Sequence, residues 1–367
     1  MSQKDSSPKC SIPLLLGKYI GKDIGKELNI SELKNYILTE CVGKGGFGEI
    51  YLLKDKKTDK SFAVKVIDFK KEDDITKFKK EKETYELFMK NKEACVKEFI
   101  NCYLGIYKTD KFGLILMNYF QTDLRKAMNE TSFSKLITEN KSNLGKFVRW
   151  IKELVAAVSY MHANNIAHGD IKPDNILVSA DGTLAITDFD TICSKTQCPI
   201  PTSITNYYAS PDFDETTTAS FKKSGQPVHK EIVQRSDWWA VCIIVLELWF
   251  GNDKTIQKFP AMITNFIKDV KNENGLVYNQ ISSLITNELP QSRLPPVEQT
   301  VISRILFSSY QLLKKIGLNS PSISDDINFY IKTINEQPKF ASQKGGSNDD
   351  YYKMKYYKYK IKYLALK

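Results

Sequence analysis

From Tyr36 the chain settles into a regular alternation. The run "YILTECVGKGGFGEIYLLKDKKTDKSFAVKVIDF" sets short β-rich apolar stretches between turn chemistry at Gly45-Gly46 and at Lys57-Thr58-Asp59-Lys60, which predicts three antiparallel strands. The following "DDITKFKKEKETYELFMKN" places Ile75, Phe78, Tyr85 and Phe88 among charges and suits an amphipathic helix. Two further strand-like runs come next, the second being "FGLILMNYF", and beyond them the chain turns mainly helical. In "LGKFVRWIKELVAAVSYMHANN", Phe147, Ile151, Leu154, Val158 and Met161 recur at three- or four-residue steps and mark one buried face. "NILVSADGTLAITDFD" predicts a hairpin turning at Asp181-Gly182. "WWAVCIIVLELWF" is too short for a membrane span, contains Glu247 and reads as a buried helix. Residues 1–35 are polar, lysine-rich and weakly periodic, and read as an extension.

Composition narrows the classes. A chain of 367 residues with 42% hydrophobic and 26% charged residues can bury a core large enough for two lobes. The net charge of +10 comes almost wholly from lysine, since the chain has five arginines: Arg125, Arg149, Arg235, Arg293 and Arg304. The guanidinium fork reads phosphates and base edges, so this balance argues against a specific nucleic-acid reader and for a preference for acidic surfaces. Seven cysteines lack CxxC spacing and a histidine cluster, which argues against zinc or a disulfide framework and for a reducing compartment. Cys193 and Cys198, in one loop, form a candidate redox pair. "SIPLLLG" is too short for a signal core, and Ser2 excludes N-myristoylation, so a cytoplasmic location is expected.

Three elements carry chemistry. Gly43, Lys44, Gly45, Gly46, Phe47, Gly48 and Ile50 form GxGxxGxI between two predicted strands, where missing side chains let backbone N–H groups approach a polyphosphate. A strand-turn-strand setting differs from the strand-to-helix setting of dinucleotide folds. "FAVKV" puts Lys65 among apolar neighbours on the third strand, where an ammonium needs an anionic partner. Helical phasing selects Glu81 as that partner and points Glu83 to another face. The third element is "HGDIKPDN" at 168–175 followed by "ITDFD".

In this order and register the segments resemble the glycine-rich loop, the strand lysine, the catalytic loop and the metal-binding segment of eukaryotic-type protein kinases. The resemblance covers about residues 36–310 and implies an α+β, two-lobed fold, with a mainly antiparallel β N-lobe carrying one C-helix and a larger helical C-lobe. It implies lobes at 36–120 and 121–340, flanked by the 1–35 extension and a basic Tyr/Lys-rich tail at 341–367. By the same resemblance Asp170 orients the attacking hydroxyl and takes its proton, and Lys172 neutralises the transferred phosphoryl group. Asn175 and Asp188 hold Mg2+, with Mn2+ as a substitute, and Lys65 with Glu81 positions ATP phosphates. Ile50, Ala63 and Leu177 match the apolar sandwich around adenine, Met117 the gatekeeper, and Asn118 to Phe120 the hinge. His168 supports the loop. "TNYYASPD" resembles the end of an activation segment, with Asp212 in place of the usual glutamate and Thr205 near the incoming residue. "SDWWAVCIIVLEL" resembles the central buried helix, from which Asp237 binds the catalytic-loop backbone. Lys172 fits a serine/threonine kinase, so protein substrates with Ser or Thr acceptors are expected.

The chain also departs from the family pattern. Gly169 replaces the arginine that pairs with a phosphorylated activation segment in many kinases, which implies activity independent of such phosphorylation. Asp190 replaces the glycine after Asp188-Phe189 and is expected to hold the metal-binding segment inward. The stretch 213–236 reads as a polar insertion, and the sequence leaves open whether Arg304 or Arg293 pairs with Asp212. The tail "YYKMKYYKYKIKYLALK" is similar to C-termini of many giant DNA virus proteins. That resemblance implies a viral kinase of host cytoplasm or virion whose tail binds an acidic partner or virion component. Two alternatives stand beside the leading reading. One is a small-molecule kinase of the aminoglycoside or choline type, the other a pseudokinase scaffold.

Overall fold

The computed structural model describes residues 14–45, 48–89, 99–101, 103–130, 142–198, 208–213, 219, 223–250, 296–317 and 323–335. These divide into two compact units. One holds residues up to Asp123 together with Asn175–Ile192, and the other holds Leu124–Asp174 together with residues from Cys193 onward.

The first unit is built on an antiparallel five-stranded sheet: β1 (Tyr36–Gly45), β2 (Gly48–Asp55), β3 (Ser61–Asp68), β4 (Tyr103–Lys108) and β5 (Phe112–Asn118), in the order β1-β2-β3-β5-β4. The pairing of β1 with β2 runs to Gly45 opposite Gly48. The turn itself, Gly46 and Phe47, lies outside the described residues. One face of the sheet is covered by the segment read from sequence as an extension. It holds a one-turn helix α1 (Ile24–Glu27), and Leu16, Ile24, Ile30 and Leu33 share a core with Leu38, Tyr51, Leu53, Val64, Val66 and Leu114. Polar clasps fix it in place. Glu49, 3% exposed, accepts the Leu15 N–H at 2.8 Å and the Tyr51 hydroxyl at 2.5 Å, and the Leu16 N–H donates to Tyr51 Oη at 2.9 Å. Burial works against the charge of Asp23, but the N–H groups of Asn35 and Lys26 and the Lys56 ammonium outweigh it and lower its pKa.

Helix α2 (Glu72–Met89) packs against β3 and β4 in the same unit. Its seat against β5 is a close approach: a Cβ on Gly113 would stand 2.5 Å from the Phe78 ring, so only glycine lets Phe78 sit there. A small second sheet, β6 (Thr122–Asp123), β7 (Ile176–Val178) and β8 (Leu184–Ile186), carries the hairpin expected from "NILVSADGTLAI", and Asp181 accepts the Thr183 N–H in its turn. It joins the rest of the unit through Asn101 N–H to the Ile186 carbonyl at 2.8 Å.

The second unit is helical: α3 (Leu124–Glu130), α4 (Ser142–Ala163), α5 (Lys230–Phe250), α6 (Pro296–Gly317) and α7 (Ile323–Asn335). Phe147, Ile151, Leu154, Val158 and Met161 form the buried face of α4, each at most 1% exposed. α5 packs against α4 and α6, with Trp249 edge-on to Phe147 at 5.3 Å. This helix begins at Lys230, six residues before the Ser236 that opens "SDWWAVCIIVLEL", and Val228 and Val233 are buried. The polar stretch 213–236 therefore includes a short strand and two helical turns of α5, whose few apolar residues are widely spaced among charges. A second short ribbon pairs β9 (Gln197–Cys198) with β10 (Val228–His229). No helix among the described residues is long and apolar enough to cross a membrane.

If residues 14–35 belong to the core of the first unit, Leu16→Ala should cost about 2–5 kcal/mol in urea unfolding. Ile20→Ala, at a position 39% exposed, should stay within about 0.5 kcal/mol.

Candidate active site

In the first unit β3 places Lys65 opposite Ile50 of β2 and Ile115 of β5. Its Nζ lies 3.0 Å and 3.2 Å from the two oxygens of Glu81, which is 4% exposed on α2. Glu81 follows Phe78 by three residues on the helix, so the seating of Phe78 at Gly113 sets its height. The Tyr103 hydroxyl donates to Glu81 Oε1 at 3.0 Å, a hold that the sequence reading does not anticipate. A half-buried ammonium facing a buried carboxylate is a rigid arrangement, because removing the cation strands the carboxylate away from water.

Asp188 follows β8 with φ 66° and ψ 73°, a left-handed conformation that costs a non-glycine residue roughly 1–2 kcal/mol. Strain of this kind concentrates where side-chain placement serves function. The chain then makes a 3-10 turn over Phe189–Thr191, so Asp190 occupies a backbone conformation open to any L-residue. Phe189 is 2% exposed, with its ring 6.2 Å from that of Tyr103. The Thr187 N–H donates to the Asn175 carbonyl at 3.0 Å, which brings Asn175 beside the Asp188 segment. Carboxylate and amide oxygens form the donor set a hard divalent cation prefers, and Asn175 is 6% exposed.

The adenine-side residues of the sequence reading lie in this unit as well. Ala63 is directly opposite Met117 and Phe62 opposite Asn118, with Ala63 and Met117 each 6% exposed. Phe120 follows β5, and Leu177 sits on β7 opposite Asp123. Asn101 adds a polar contact at Met117, with its amide donating towards Met117 Sδ at 3.5 Å and Thr187 Oγ1 at 3.4 Å. On the hairpin, Lys44 pairs with Glu49 and Gly43 with Ile50. A Cβ on Gly48 would fall 2.4 Å from the Val66 carbonyl, whereas one on Gly43 would meet nothing within 4 Å. Gly48 is thus required by strand packing, and Gly43 leaves open space of the kind a phosphate chain needs.

The second unit holds the loop with Asp170. Its anchor is Asp237 on α5, 1% exposed, which accepts the His168 N–H at 2.8 Å and the Gly169 N–H at 2.9 Å. His162 Nε2 lies 2.9 Å from the same carboxylate. Gly169 has φ +82°, so the position usually filled by arginine is one where glycine carries no steric cost. The Asp170 N–H donates to Nδ1 of the fully buried His168 at 3.3 Å, and Lys172 Nζ donates to Asp170 Oδ2 at 2.6 Å. Asp170 is 9% exposed, and its Lys172 contact keeps cation and carboxylate side by side.

Arginine use in this unit differs from expectation. Asp212 pairs with Arg235 at 3.2 Å, not with Arg304, and Arg293 lies outside the described residues. Arg235 escapes the sequence reading because the helix turn that carries it looks like part of an insertion. Arg125 donates to Glu247 at 2.7 Å and to the Tyr208 hydroxyl, and Tyr208 donates to Glu247 at 2.5 Å. Burial alone would lower the Arg125 pKa, but Glu247 and Tyr208 outweigh it and raise it. Thr205 and the tail 341–367 lie outside the described residues.

Two substitutions separate the holds described above. Tyr103→Phe should cost about 0.5–1.5 kcal/mol of unfolding free energy, while Glu81→Gln, which removes the carboxylate facing Lys65, should cost about 3–5 kcal/mol. Gly169→Ala should cost about 1 kcal/mol through its left-handed backbone. Urea unfolding of the three variants checks the order.

The protein kinase domain family matches residues 36–292. A probable serine/threonine-protein kinase of Dictyostelium discoideum is 26% identical over 323 residues, covering 82% of this chain and 67% of that protein. The cAMP-dependent protein kinase catalytic subunit PRKX of Homo sapiens is 25% identical, over 62% of this chain and 57% of that protein. Serine/threonine-protein kinase Sgk1 of Danio rerio is 26% identical, over 58% of this chain and 44% of that protein. With its β-sheet N-lobe, its helical C-lobe and a family match over most of its length, the chain belongs to the protein kinase domain family.

Proposed function

We propose that the protein is an ATP-dependent serine/threonine protein kinase that works without phosphorylation of its activation segment. Phosphoryl transfer is mostly positioning and charge neutralisation, and the residues present suit those tasks. The Lys65 ammonium, held by Glu81, neutralises ATP phosphates. Asp170 orients the acceptor hydroxyl and takes its proton, and Lys172 offers its charge to the transferred phosphoryl oxygens. Asn175 and Asp188 are the residues that would hold Mg2+, which when bound spreads the phosphate charge. Lys172 and the names of the relatives support Ser and Thr as acceptors.

The observation that carries independence from activation-segment phosphorylation is how the catalytic loop is anchored. Asp237 holds the backbone of His168 and Gly169 through two N–H groups, and the residue at 169 has no side chain to answer a phosphate. Arg125, Arg149 and Arg235 each already contact a carboxylate: Glu247, Glu153 and Asp212. A phosphate clamp built on any of these three arginines would have to break its pair.

Transfer from radiolabelled MgATP to acidic and basic proteins, with an aminoglycoside as a parallel acceptor, tests the reading. Label is expected on protein serine or threonine, and Asp170→Asn should lower kcat by about 10²–10⁴-fold. Label only on the aminoglycoside would move the chain to small-molecule chemistry. Replacing Thr191, Ser194, Thr196, Thr202 and Ser203 together by alanine should leave the rate nearly unchanged, and a large loss would refute the independence.

A further inference from the structure

The sequence reading argues against a disulfide framework but singles out Cys193 and Cys198 as a candidate redox pair, and the two sulfurs are bonded, with Cα atoms 5.5 Å apart. Their surroundings give that bond a place in the catalytic architecture. The N–H of Cys193 donates to the Ala167 carbonyl and the N–H of Ala167 donates to the Cys193 carbonyl, both at 2.9 Å. Ala167 immediately precedes His168, Gly169 and Asp170. Cys198 pairs with Val228 in the β9–β10 ribbon, and the Lys230 N–H at the start of α5 donates to the Thr196 carbonyl at 2.9 Å. Cys193, Cys198, Ala167, Phe213, Val228 and Val233 make a separate hydrophobic cluster. The four residues between the cysteines, Ser194 to Gln197, are exposed.

We propose that Cys193–Cys198 is a reversible thiol–disulfide modification site that controls catalytic output by tying the start of the activation segment to the base of the catalytic loop. It rests on the phosphotransfer reading above and supplies what that reading leaves open, namely what orders the segment when no phosphate does. The crosslink removes conformations from the six-residue turn and so holds Cys193 where its backbone pairs with Ala167. Opening it leaves the Ala167 pairing supported by backbone hydrogen bonds and the small cluster alone.

The chemistry balances with a low-molecular-weight disulfide, such as glutathione disulfide, as oxidant. One cysteine thiolate attacks the glutathione disulfide, forms a mixed disulfide and releases one glutathione thiolate. The second cysteine thiolate attacks the protein sulfur, closes Cys193–Cys198 and releases the second. Two electrons pass from the protein thiols to the oxidant, and the two thiol protons go to the released glutathiones. Excess reduced glutathione or a dithiol drives the reverse.

The test uses the full chain equilibrated in glutathione buffers from fully reducing to fully oxidising. Differential alkylation and mass spectrometry give the oxidation of this pair. Initial rates of phosphate transfer and hydrogen exchange at residues 167–170 are read in the same samples. Cys193→Ala/Cys198→Ala runs alongside, because Cys41 is also disulfide-bonded and could respond. The expected result is a kcat about ten-fold lower in the reduced state, tracking the oxidised fraction, with faster exchange at 167–170. The double variant should be fixed at the reduced level and insensitive to the buffer. Cysteines that stay reduced in the most oxidising buffer would overturn the proposal, as would an oxidised pair that changes neither rate nor exchange. A redox-dependent exchange with no transfer in either state would refute the phosphotransfer reading and leave the modification site standing.

Discussion

A single buried carboxylate, that of Asp237, sets the geometry of the loop that carries Asp170. Removing a carboxylate from water is costly unless donors replace it, and Asp237 finds them in the backbone of His168 and Gly169 and the ring of His162. Because two successive N–H groups must point at one carboxylate, the chain between them takes the left-handed turn that Gly169 accommodates. The next residue is Asp170, whose N–H is held by His168 and whose carboxylate is held by Lys172. Asp170 is thereby positioned by a helix in the core of the second unit.

The first unit applies the same logic to a cation. Lys65 on a central strand is half-buried beside the buried Glu81, and Glu81 is held in turn by Tyr103 and by the seating of Phe78 against Gly113. Each unit uses a buried acid, Glu81 or Asp237, to fix one group, Lys65 or the loop of Asp170, an arrangement that suits a reaction in which the protein contributes mainly position and charge.

What could be read from the sequence was local. Strand alternation, the buried face of α4 and the hairpin after Asn175 depend on neighbours a few residues apart, and helical phasing separates Glu81 from Glu83. In the structure Glu81 lies against Lys65 while Glu83 is exposed. The order of the glycine-rich hairpin, Lys65 and "HGDIKPDN" carried the family resemblance. What escaped was nonlocal. Leu16, Ile24, Ile30 and Leu33 are spaced without helical or strand period, so only the sheet they cover reveals them as core. Arg235, Tyr103 and Asn101 gain meaning from partners 16 to 86 residues away. Cys193 and Cys198 are legible as a candidate pair because they share a loop, but the turn that joins them pairs with Ala167 and Val228, far off in sequence.

The central claim is that the catalytic loop is competent as folded, with no phosphate on the activation segment. The most direct measurement is single-turnover transfer from γ-labelled MgATP by oxidised protein whose intact mass shows no phosphate. The account predicts a first turnover at full rate, without a lag. A lag that shortens in step with phosphate incorporated between Thr191 and Ser203 would contradict it.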